Sequence, residues 1–142
     1  MTAAAQTVLT GTSTADPSVV SWGSPTVSPP PGSGNTFTGD VFTVAQAGLY
    51  QITVQLVTAQ TSYLVPNIQV GGAYNDGDDF YGIGTINNQT AQVPHKGRGQ
   101  ISATTYLNAG DTFRIRVENA STVVSLPVST DGSSRLTVVK LS

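Results

Sequence analysis

The stretch GLYQITVQLV, residues 48 to 57, alternates more regularly than any other part of the chain, and it restricts the fold more than any other feature. Side chains alternate across a β-strand, so Tyr50, Ile52, Val54 and Leu56 share one face while Gln51, Thr53 and Gln55 share the other. A strand with one dry and one wet face needs an apolar layer on one side only, as in a sandwich or barrel of antiparallel sheets.

The rest of the chain repeats this logic. No window sustains apolar residues at i, i+3, i+4 and i+7, and β-branched residues occur throughout. Strand-like runs are predicted at about 6–13, 18–22, 40–45, 49–58, 63–70, 80–86, 99–107, 112–118, 122–127 and 134–141, separated by turn residues. Phe113, Ile115 and Val117 oppose Arg114, Arg116 and Glu118 on one strand, and Ile101, Ala103, Thr105 and Leu107 alternate just before it. Residues 99 to 118 therefore read as two antiparallel strands joined by a turn at Asn108 to Asp111 that contains Gly110. Leu136, Val138, Val139 and Leu141 fall on both faces of the last run, which predicts a strand inside a sandwich and also against another surface. Between the second and third runs lies SPTVSPPPGSGNTFTG. Its three consecutive prolines favour extended geometry, and it reads as an exposed loop or as a segment touching a neighbouring subunit. The whole predicts one all-β domain over 1–142, with 1–35 as an arm and Pro-rich loop, and a core that includes Phe42, Tyr50, Ile52, Val54, Leu56, Leu107, Phe113, Ile115 and Val117.

Composition narrows the function classes. Charged residues are 10% of the chain and the net charge is −2, which leaves no basic footprint for nucleic acid. There is no cysteine, so no disulfide framework exists. No apolar run reaches the roughly 18 to 20 residues of a membrane span. The first residues, MTAAAQTVLTGTS, lack the basic and apolar regions of a signal peptide, so export is expected by lysis or on an assembled particle.

Chemistry-bearing residues are few. His95 stands in VPHKGRG without a nucleophile or orienting acid nearby in sequence, and no Gly-rich loop follows a strand and opens a helix. No enzyme and no cofactor is expected. YNDGDDFYG is the acidic cluster: Asn75, Asp76, Asp78 and Asp79 suit a turn around Gly77, and their closely spaced oxygens also suit Ca²⁺, although the spacing of an EF-hand is not met. Tyr74, Phe80 and Tyr81 flank this cluster and, with His95, are candidates for surface recognition. The same aromatics are equally suited to core packing.

TFTGDVFTVAQAGLYQITVQLV resembles the central motif of the C1q and tumour-necrosis-factor-like superfamily, with Phe42, Gly48 and Tyr50 in the motif positions. LNAGDTFRIRV is similar to a later motif of that family, with Leu107, Gly110 and Asp111 matching, and STDGSSRLTVVKL is similar to its last segment. The resemblance covers residues about 36 to 141 and implies a jelly-roll sandwich of two antiparallel sheets with about eight to ten strands. It also implies a compact homotrimer. Standalone domains of this appearance occur as decoration, cement, head-fibre or spike trimers on phage and other virus particles. The expectation is therefore a non-enzymatic structural virion protein at the particle surface, with other capsid or virion proteins as partners. The alternative is a tip domain or bacterial surface adhesin that recognises a receptor or a host-surface glycan through loops 73–82 and 92–99.

Overall fold

A computed structural model of the chain describes residues 7–9, 19–23, 34–38, 40–58, 65–71, 80–81, 83–85, 98–118, 125–129 and 131–142. These form β1 (Thr7–Leu9), β2 (Thr36–Thr38), β3 (Val41–Thr43), β4 (Gly48–Val57), β5 (Val65–Val70), β6 (Phe80–Tyr81), β7 (Ile83–Thr85), β8 (Arg98–Leu107), β9 (Thr112–Glu118), β10 (Ser125–Pro127) and β11 (Arg135–Lys140), with no helix among the described residues. One sheet has the order β11-β4-β8-β7 and the other β2-β3-β9-β5-β6, with every pairing antiparallel, while β1 and β10 form a separate pair.

Alternation decides which residues meet between the sheets. Tyr50, Ile52, Val54 and Leu56 of β4 turn inward, as do Ile101, Ala103 and Leu107 of β8, and they meet Ile68, Phe113, Ile115 and Val117 of the facing sheet. All nine side chains named above as core are buried. Phe42 and Phe113 pair across β3 and β9 and stack with ring centroids 4.9 Å apart. Such a pair contributes about 0.5–1.5 kcal/mol beyond the area it buries.

Three local readings change. First, the run 99–118 is not a hairpin: β8 pairs with β4 and β7, while β9 pairs with β3 and β5, so the chain crosses from one sheet to the other at 108–111. The turn itself is as expected, with Asp111 accepting from the Asn108 backbone N–H at 2.7 Å. However, Gly110 at φ 93° donates to Val44 O, and Val44 donates back to Asp111 O. The turn is thus fastened to the β3–β4 connection, and the apolar sides of β8 and β9 face each other across the core. Second, 80–86 is two strands in different sheets, because β6 pairs with β5 and β7 with β8. Third, the end of the Pro-rich segment is strand β2, whose Phe37 sits opposite Phe42. Asp40, at φ 64°, reverses the chain between β2 and β3. Its carboxylate accepts from Trp22 N and Ser21 Oγ, each at 2.8 Å.

Those bonds fix residues 19–23, which belong to the segment expected as an arm. Val20 donates to Ile115 O and Val19 bridges Arg116. Val20 and Trp22 are buried in the core cluster, because the edge of β9 beyond its pairing with β3 has free backbone positions that this segment fills. The run expected at 18–22 is therefore a pair of isolated bridging positions, not a full strand.

Candidate functional site

β11, β4 and β8 are adjacent, so their outward residues form one flat surface whose rows follow from register. Leu141 donates to Leu49 O at 2.7 Å, and Leu49 lies opposite Tyr106, which gives the row Leu141–Leu49–Tyr106. The next rows are Val139–Gln51–Thr104, Thr137–Thr53–Ser102 and Arg135–Gln55–Gln100. Thr53 and Ser102 are linked through their hydroxyls at 3.1 Å.

This surface is graded. Among the described residues the exposed large apolar side chains are Tyr106 at 61%, Leu141 at 52% and Val139 at 44%, and all three stand on this face at its Leu49 end. Neutral hydroxyls and amides fill the middle, and charge enters only at the far end with Arg98 and Arg135. The inner side of the same strands is closed by the core, so the apolar end has no further use inside the subunit. Isolated exposed apolar residues are ordinary, but a contiguous group on a charge-free sheet face marks a surface for another macromolecule.

Backbone contacts hold this end in place. Leu49 donates to Ser142 O at 3.2 Å, and a Cβ on Gly48 would lie 2.1 Å from that same oxygen. Only glycine lets the chain after β11 lie this close to β4. On the buried side Tyr50 donates its hydroxyl to Gln46 O at 2.7 Å, which ties the turn before β4 to the strand.

The sequence reading found part of this surface. Val139 and Leu141 were assigned to a second apolar face of the last strand, and they stand there. Leu49 and Tyr106 were missed. The signal for Tyr106 was a large aromatic at the solvent-side parity of a strand whose other outward residues are Ser102 and Thr104.

The remaining candidates do not join it. Asn75, Asp76, Asp78, Asp79, Tyr74 and His95 lie outside the described residues, so the acidic turn and possible Ca²⁺ ligands are not placed. Among the described residues no cluster of three or more metal-ligating side chains forms. Phe80, a candidate for surface recognition, pairs with Ile68 and packs partly buried against the core. Its position opposite an inward residue of β5 turns it inward as well. Tyr81 pairs with Asn67 through the backbone. No helix among the described residues is long and apolar enough to cross a membrane, which says nothing of membrane β-barrels.

No protein-family model matches the sequence, and no curated protein matches it. Solved structures do resemble the fold. Eiger TNF of S. frugiperda superposes with a TM-score of 0.56 at 18% identity, over 76% of this chain and 69% of that one. Murine APRIL at pH 5.0 gives 0.54 at 16% identity, over 97% of this chain and 100% of that one. A second murine APRIL structure, at pH 8.0, gives 0.54 at 17%, over 89% and 81%. Two antiparallel sheets packed with this strand order, together with these neighbours, show that the chain folds as a TNF/C1q-like jelly roll.

Proposed function

We propose that this chain is a non-enzymatic structural protein of a virus or phage particle that works as a homotrimer, its subunits meeting through the face made by Leu49, Tyr106, Val139 and Leu141. The observation that carries the reading is the apolar end of an otherwise neutral sheet face. Copies of the chain are its fitting occupants. The face carries no like charges to repel a second copy until Arg98 and Arg135 at the far end, and a flat sheet face meets its neighbour's flank in a contact that closes after three rotations. The trimer expected from the family resemblance uses such a sandwich, and the fold itself is in place.

The particle role draws support from the charge-poor, Thr- and Gly-rich surface and from the lack of a catalytic constellation in the sequence. A receptor- or glycan-binding tip is the weaker reading, since Phe80 packs inward and leaves fewer aromatics for stacking on a sugar. Gold-labelled antibody against the chain, applied to intact particles purified from its source, tests the role directly. Label distributed over particle surfaces is expected, whereas label confined to unassembled protein contradicts it, and label only at fibre tips selects the tip reading.

A further inference from the structure

The opposite side of the molecule holds a second feature that the trimer does not use. Register places Asn67 opposite Arg116 and Gln69 opposite Arg114, all four on the face of the five-stranded sheet that turns away from the core. Arg114 and Arg116 each donate through Nε to the same oxygen, Gln69 Oε1, at 2.6 Å. Two guanidinium groups are thereby held side by side on one carbonyl, each with four more N–H donors in a fixed plane. Asn67 and Gln69 are fully buried, and Arg116 is 6% exposed. Gln69 Nε2 and both polar atoms of the Asn67 amide have no hydrogen-bond partner.

Buried amides are nearly always satisfied, and leaving three such atoms unpaired in one cluster is costly. The chemistry of what would satisfy them is specific. The cluster is rich in donors and carries two positive charges, so it suits an oxyanion, whose oxygens only accept. Whichever way its amide is turned, Asn67 presents one acceptor beside its donor, so the guest also needs one hydroxyl hydrogen. A phosphate group in its monoprotonated form has both properties, and sulfate has only the first.

We propose that Asn67, Gln69, Arg114 and Arg116 form a binding site for a phosphate group, free or carried as a phosphomonoester. The guanidiniums supply charge and paired donors, Gln69 Nε2 and Asn67 Nδ2 complete the donor set, and Asn67 Oδ1 receives the phosphate O–H. Arg114, which keeps partial exposure, is the side from which the group enters. The site is independent of the subunit face, which lies on the other sheet.

The test is thermal melting of the purified chain in phosphate, in sulfate and in chloride at equal ionic strength and pH. A saturable rise in Tm with phosphate that exceeds the rise with sulfate is expected, and glycerol phosphate in a parallel arm shows whether a phosphate on a larger molecule is accepted as well as the free ion. Gln69→Glu places a carboxylate between the two arginines, so it should melt higher than the parent without phosphate and lose the phosphate response. Asn67→Asp, which repels the anion at nearly unchanged shape, should lose the response too and serves if the first variant does not fold. No rise with phosphate, an equal rise with sulfate or chloride, or an unchanged response in the variants would overturn the assignment.

Discussion

Tyr50 gives the sharpest test of how the core is built, because its ring and its hydroxyl do separable work. The side chain is 1% exposed at the centre of β4, and the hydroxyl donates to Gln46 O at 2.7 Å. Tyr50→Phe keeps the ring and removes only that donor. Gln46 is exposed, so its carbonyl recovers a water partner, and the loss should stand near the low end of the usual 0.5–1.5 kcal/mol for one hydrogen bond. Tyr50→Ala removes the ring as well and leaves a cavity among packed neighbours, at a cost of about 3–5 kcal/mol. For a chain of 142 residues each kcal/mol moves the melting temperature by about 3–4 °C. The Phe variant should therefore melt within about 2–4 °C of the parent, and the Ala variant about 10–20 °C below it. Calorimetry at one fixed protein concentration is the assay, since subunit association makes Tm depend on concentration. An Ala variant within about 3 °C of the parent would refute the assignment of this face of β4 to the core.

Other perturbations probe the connections. Asp40→Ala removes both acceptors that hold Ser21 and Trp22 and leaves a non-glycine residue at φ 64°, so it should cost about 2–3 kcal/mol by chemical denaturation. An unchanged midpoint would detach residues 19–23 from the fold. Gly48→Ala drives a Cβ into Ser142 O and Lys140 Cε; it should cost about 1–3 kcal/mol and speed hydrogen exchange at the Leu141 amide, and normal exchange there would contradict the contact. Gly110→Ala meets no atom within 4 Å but keeps φ at 93°, so only backbone strain of about 1–2 kcal/mol is expected, and a larger loss would mean crowding at the sheet crossing. Adding Ca²⁺ to EDTA-treated protein should leave Tm unchanged if residues 75–79 serve as a turn. A rise abolished by Asp78→Ala would assign a cation site there.

The sequence carried the ladders better than the connections. Strands β4, β8, β9 and β11 are legible because each pairs an apolar with a polar parity over six or more residues, and that period needs no knowledge of the partner strand. The crossing at 108–111 was misread because a tight Asn–Asp turn between two alternating strands looks the same whether the strands pair or face each other across a core. What decides is the bond from Gly110 to Val44, more than sixty residues away in sequence, and no local pattern reports it. Strand β2 was hidden for a related reason: three residues beside a run of prolines have too short a period to detect, and Phe37 is placed by Phe42. Tyr106 was passed over because attention followed the apolar parity of its strand. Asn67 and Gln69 could not be foreseen, since polar residues at an outward parity ordinarily meet water, and only packing reveals that these are buried.

The central claim is that copies of this chain associate through the Tyr106 face, and the mass of the purified protein in solution, measured by light scattering beside Tyr106→Asp, tests it most directly. The account predicts a parent species at about three times the 14.6 kDa chain mass and a smaller, still folded species for the variant, because a charge at the centre of a close apolar contact is costly to desolvate. A parent that runs as a 14.6 kDa monomer, or a variant that keeps the parent's mass, would contradict it.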